Sequence, residues 1–115
     1  MLLADNNPDL AQVLAEVIRL DGRLEFIGFV SSGAAALRRL ESEPVDVLLL
    51  DLGLEDCHGF DVLDRLRAQG TTTRVIVHSG HASPELAAHA KRRGAAAYVV
   101  KDGDPQALLA AIHSV

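Results

Sequence analysis

Cys57 is the only thiol in 115 residues. No internal disulfide can staple the fold, and the composition fits a reducing compartment such as the cytoplasm. Long apolar runs are missing as well, none approaching the roughly 18 residues that a membrane-spanning helix needs. The opening Met1-Leu2-Leu3-Ala4-Asp5 is too short and too acidic for a secretory signal. Basic residues are in deficit: eleven Lys and Arg stand against sixteen Asp and Glu, a formal charge of −5. A binder of nucleic-acid backbone carries the opposite excess. Solenoid repeats, low-complexity tracts and internal linkers are absent, and no Gly-x-Gly-x-x-Gly follows the first apolar run. A secreted miniprotein, a membrane span, a self-sufficient nucleic-acid binder and a dinucleotide enzyme are thereby set aside.

The chain does have enough apolar material for one core. At 12.3 kDa, surface scaling gives about 6,100 Å² folded against about 17,800 Å² unfolded, so two thirds of the surface is buried without staples. Short apolar runs alternate with longer amphipathic ones. Strands are predicted over 2–4, 24–30, 45–50, 74–77 and 95–100, and helices over 8–20, 33–42, 59–69 and 84–93, with a last helix opening at Asp104-Pro105. Asn7-Pro8, Ser32, Ser83-Pro84 and Asp104-Pro105 read as helix caps, and Gly22, Gly70 and Gly94 as stops. The apolar face of the first helix is Leu10, Val13, Leu14, Val17 and Ile18. That of the last is Ala107, Leu108, Ala111, Ile112 and Val115, with Leu109 off the stripe. Strict alternation and the nearly continuous apolar run Val45–Leu50 imply an α/β fold: a parallel sheet covered by helices on both faces.

In such sheets ligands bind beyond the carboxyl ends of the strands, where strand order reverses. The residues there are Asp5-Asn6, Asp51, Ser79 and Lys101. Two carboxylates, a hydroxyl and an ammonium suit a phosphoryl group and a hard cation. Mg²⁺ takes oxygen ligands and keeps several waters, a carboxylate can act as nucleophile and form an aspartyl phosphate, and the cations offset the charge of the transferred group.

With Leu2–Pro8, Val45–Leu52, Val75–Gly80 and Gly94–Asp102 in this order, the whole chain resembles the receiver domain of two-component response regulators. The Asn-Pro opening and the Lys-Asp ending are most similar to receivers that precede a LuxR-type helix-turn-helix domain. The resemblance implies a three-layer, doubly wound (βα)5 flavodoxin-like fold with a five-stranded parallel sheet, residues 1–115 being the N-terminal receiver of a longer regulator. It implies Asp51 as phosphoacceptor, with Asp5 and Asp51 at Mg²⁺, the Gly53 backbone carbonyl completing the metal pocket, and Lys101 on the phosphoryl group. Ser79 and Tyr98 would be the switch residues. The implied partners are a histidine kinase, a second copy as a dimer, and DNA only through a downstream domain, with no membrane. The implied output is transcription, through a surface made by helix four, strand five and helix five. The only enzymatic activity expected is self-catalysed phosphoryl transfer and slow autodephosphorylation.

Three departures from the family pattern stand out. Asn6 occupies a position where a metal-binding carboxylate is usual, which predicts Mg²⁺ binding weaker by about 1–3 kcal/mol. The loop after Asp51 carries Glu55 and His58 in place of the usual proline and aspartate, and Asp102 replaces a frequent proline after Lys101, removing an expected cis peptide. Asn6 also motivates a second reading, a phosphorylation-independent dimerisation or docking module. Tyr98 is equally read as packing with a wet hydroxyl. Lys91-Arg92-Arg93 is read first as a helix C-terminus meeting its dipole and second as a charged edge of a dimer or output surface. Zinc at Cys57, His58, His78 and His81 is disfavoured, since it wants three or four converging ligands.

Overall fold

The computed structural model describes all residues, 1–115. Ten elements alternate: β1 (Leu2–Ala4), α1 (Pro8–Asp21), β2 (Gly28–Val30), α2 (Gly33–Ser42), β3 (Val47–Leu50), α3 (Gly59–Ala68), β4 (Arg74–Ser79), α4 (Pro84–Arg92), β5 (Ala97–Val100) and α5 (Pro105–Ser114). All strands are parallel, in the order β2-β1-β3-β4-β5. The order reverses between β1 and β3, which puts the crevice above those two strands.

Side-chain alternation along the strands divides the core in two. Leu3, Val47, Leu49 and Ile76 face α1 and α5, where they meet Leu14, Ile18, Leu108 and Ile112. Leu2, Leu48, Leu50, Val75 and Val77 face the other way, against Ala36, Val62, Leu63, Leu66 and Ala90. The predicted caps form: Asn7 Oδ1 accepts from the Asp9 and Leu10 amides, and the side chains of Ser32, Ser83 and Asp104 accept from the Ala35, Leu86 and Gln106 amides.

Several expectations change. β2 is three residues long, because only Gly28, Phe29 and Val30 find register partners on β1; the apolar character of residues 24–27 does not supply a ladder. β4 runs on to Ser79, where His78 and Ser79 pair with Val99 and Val100. Ser79 therefore belongs to the strand. The buried stripe of α5 is Leu108, Leu109 and Ile112, with Ala107 exposed; the helix is turned so that Leu109 enters the core. Val13 on α1 is 59% exposed, as is Leu20 at 70%. No peptide bond is cis, so Lys101–Asp102 is trans.

Candidate functional site

The strands hold the site residues by carrying the ladder one step further. The Asp5 amide donates to Val30 O (3.0 Å), that of Asp51 to Ala4 O (2.8 Å) and that of Lys101 to Ser79 O (2.7 Å). Asp5 and Asp51 are two residues beyond Leu3 and Leu49, and His78 is two beyond Ile76, so they continue the row of the α1/α5 face. Lys101, two beyond Val99, lies in the next row and reaches back. Its Nζ is 2.6 Å from Asp5 Oδ2 and 3.2 Å from Asp51 Oδ1. Asp5 is fully buried, and its other oxygen accepts from the Asn7 amide at 3.0 Å. A buried carboxylate without partners would cost several kcal/mol; here a cation and a backbone N–H face it.

Asp51 Oδ2 lies on the side of Gly53, 3.8 Å from where a Cβ on that glycine would stand. A cleft of about 440 Å³ opens at this point, lined by Asn6, Asp51, Gly53, His58, Ser79 and His81 among others. Asp5 forms no part of that wall; Asn6 does. The oxygen donors on offer are the Asp51 and Asp5 carboxylates, the Asn6 amide and the Gly53 carbonyl. This all-oxygen set suits Mg²⁺ and not a soft metal. No three His, Cys, Asp or Glu side chains converge anywhere in the chain, so a hard cation here would rest on amide, backbone and water oxygens as well as acid.

Ser79 is buried, and its Oγ accepts from the His81 amide at 3.2 Å. The His81 carbonyl accepts from the Tyr98 hydroxyl at 2.6 Å. His81 thus ties the two residues together through its backbone. Tyr98 packs against the core cluster on the Ser79 side of the sheet while its hydroxyl reaches the β4–α4 loop. The ring packs as a core residue does, and the hydroxyl is bonded to a backbone carbonyl instead of being left to water.

Asp56 and His58 position the Asp51 loop in ways that sequence reasoning missed. Asp56 reaches across to α2 and accepts from the Gly33 and Ala34 amides at 2.7 and 3.1 Å. These helix-terminal N–H groups hold its carboxyl below the usual range. An acid two residues before the next cap was the available signal, but the cap it makes belongs to a helix 23 residues earlier. His58 occupies the cap position of α3, its Nδ1 accepting from the Phe60 amide at 3.0 Å, so an imidazole caps this helix. Gly59 donates to Leu52 O (2.8 Å). A Cβ there would stand 2.6 Å from the Asp51 carbonyl oxygen and 2.9 Å from Leu52 Cα. The basic run is partly structural: Arg93 pairs with Asp64 of α3 and lies 5.0 Å from the Phe60 ring centre.

Comparison with known proteins agrees with this arrangement. SgaR of Hyphomicrobium methylovorum, described as a probable transcriptional regulatory protein, is 35% identical over 113 residues, which are 98% of this chain and 54% of SgaR. The nitrate/nitrite response regulator NarL of Escherichia coli K12 is 33% identical over 98% of this chain and 52% of its own length. The chain therefore spans about half the length of the curated relatives it matches. Among solved structures, the signal receiver domain of NarL from Mycobacterium tuberculosis superposes with a TM-score of 0.91 at 27% identity, covering 98% of this chain and 91% of that one. Residues 1–113 match the response regulator receiver domain model, and with the strand order and the carboxylate–lysine crevice already described, the chain belongs to the response regulator receiver domain family.

Proposed function

We propose that residues 1–115 are the phosphoryl-accepting receiver of a longer transcriptional regulator, with Asp51 as acceptor and the phosphohistidine of a histidine kinase as donor. The observation that carries this reading is Lys101 within 3.2 Å of Asp51 Oδ1 while Asp51 Oδ2 faces the open cleft beside Gly53. In the transfer the donor P–N bond breaks, its electron pair leaves with the imidazole, and a P–O bond forms to the Asp51 carboxylate. Lys101 offsets charge on the phosphoryl oxygens. Asp5, buried behind, keeps that ammonium in place.

Asp5, Asp51, Asn6 and the Gly53 carbonyl would hold Mg²⁺, which supplies further neutralisation of the phosphoryl group when bound. The Ser79 hydroxyl accepts from the His81 amide and keeps its own proton for a phosphoryl oxygen. A turn of Ser79 toward that oxygen pulls on His81 and hence on the Tyr98 hydroxyl. The change is thereby passed to the surface of α4, β5 and α5, where a second copy or the rest of the regulator would dock. Contact with DNA would belong to a domain outside these residues.

The alternative, a docking module that works without phosphorylation, rests on Asn6 standing on the cleft wall where an acid would strengthen the cation site. One experiment separates the two. The chain is incubated with Mg²⁺ and acetyl phosphate and its intact mass is measured. The receiver reading expects one phosphoryl group on the wild type and none on Asp51→Asn; an unchanged wild-type mass would leave the docking module.

A further inference from the structure

A second cleft, of about 180 Å³, opens between α1 and the β5–α5 turn. Leu10 and Leu14 of α1, Val100 of β5 and Leu108 of α5 form its apolar walls, and Lys101, Asp102 and Asp104 are its charged lining. Its polar component is unusual. His78 lines it, is 5% exposed, and has a buried Nδ1 with no hydrogen-bond partner. Leaving a buried polar atom unpaired costs about 1–3 kcal/mol, and native structures rarely tolerate it without a reason. The preceding residues on this face of the sheet, Leu3, Leu49 and Ile76, are aliphatic and buried.

The charged groups around this cleft already have partners. Lys101 is engaged by Asp5 and Asp51, Asp102 accepts from the Asp104 amide, and Asp104 caps α5. What remains is a set of apolar walls and one imidazole with unused hydrogen-bonding capacity. The volume is of the order that holds a single aromatic ring, an engineered apolar cavity of about 150 Å³ being known to take benzene. A hydroxyl is the matching head group, since it both donates and accepts and so pairs with either tautomer of a neutral imidazole.

We propose that the α1–α5 cleft is a binding site for a small neutral aromatic carrying one hydroxyl, a phenol, whose hydroxyl pairs with His78 while its ring packs on Leu10, Leu14 and Leu108. The site stands whether or not Asp51 accepts a phosphoryl group. It can be tested by titrating the isotope-labelled chain with phenol and with toluene, the same shape with a methyl in place of the hydroxyl. The readouts are the leucine methyl and His78 ring resonances. The expected result is saturable shifts confined to this cleft, with phenol about fivefold tighter than toluene, the size of one net hydrogen bond. In His78→Leu the preference disappears while toluene still binds. Shifts that stay linear with concentration, or equal affinity for the two ligands in the wild type, would overturn the proposal. The wild-type comparison decides even where the variant folds poorly.

Discussion

At the scale of single residues, two side chains set measurable quantities. Asn6 stands on the cleft wall, so the proposed cation site would hold the charge of two carboxylates, offset in part by Lys101. Restoring a carboxylate should help. Asn6→Asp is expected to tighten Mg²⁺ binding by about 1–3 kcal/mol, roughly five- to 150-fold, read from amide shifts at Asp5, Asp51 and Gly53 during a Mg²⁺ titration. An unchanged midpoint would mean that residue 6 does not reach the ion.

His78 governs a different property. Its pKa is held down to about 4, first by burial and then by the nearby Lys101 ammonium, with the Asp5 and Asp102 carboxylates acting in the opposite sense. The folded-state value therefore lies below the ordinary value of 6.5, and the unfolded chain takes up the proton first. Stability is complete above the unfolded pKa and declines as pH falls from about 6.5 toward 4. From about pH 7.5 to about pH 4.5 the wild type should lose about 2–3 kcal/mol more than His78→Phe, measured by urea unfolding. Equal losses would show that the imidazole is not kept neutral by the fold.

At the scale of elements, the Asp51 loop is positioned by contacts that come from other parts of the chain. The start of α3 presses on the backbone of Asp51 and Leu52 so closely that only glycine fits at position 59. Gly59→Ala would drive a Cβ into two backbone atoms. It should cost about 1–3 kcal/mol and lower the rate of phosphorylation by acetyl phosphate. Gly80→Ala is the control, because a Cβ there meets nothing within 4 Å and its φ is not positive; its stability should change by less than about 0.5 kcal/mol. Similar losses for both variants would argue against a steric role for Gly59.

Much of this level was legible in advance. Four of the five helix starts had a cap residue, three with a following proline, and each strand had a run of apolar residues that alternation and burial could use. The four rim positions followed from the ends of those strands. What failed was what depends on a spatial partner. Residues 24–27 had strand character but no register mates on β1, and Leu109 sat outside the counted stripe because helix rotation is set by the sheet beneath. Asp56 was opaque for the same reason. Its carboxylate closes a helix 23 residues away, a pairing that no local pattern encodes.

At the scale of the whole molecule, attachment is uneven. α1 and α5 are joined at their C-terminal ends by His113 and Asp21 at 3.1 Å, and each buries three residues. α3 buries four. α4 buries Ala90 alone, with Leu86 half-buried beside it; its polar ties to α3 are Arg67 donating to Arg92 O at 2.8 Å and Arg93 with Asp64, a partly exposed pair of the kind worth about 0.2–1 kcal/mol. An element with so little buried surface opens at low cost. It is also the element next to the Ser79–His81–Tyr98 linkage. A perturbation at Asp51 that moves Ser79 therefore meets its softest response in the β4–α4 loop and α4. The loop of residues 51–58, by contrast, is clamped to α2 through Asp56. With a coupling of about 1–3 kcal/mol, amide exchange after treatment with Mg²⁺ and acetyl phosphate should change about five- to 150-fold in residues 80–92. It should change little in α1 and α2. Tyr98→Phe, which lacks the hydroxyl bonded to His81, should exchange faster in residues 80–92 before treatment and show a smaller change on phosphorylation. A response spread evenly over all five helices, or one centred on α1, would mean that the signal does not leave the site through His81.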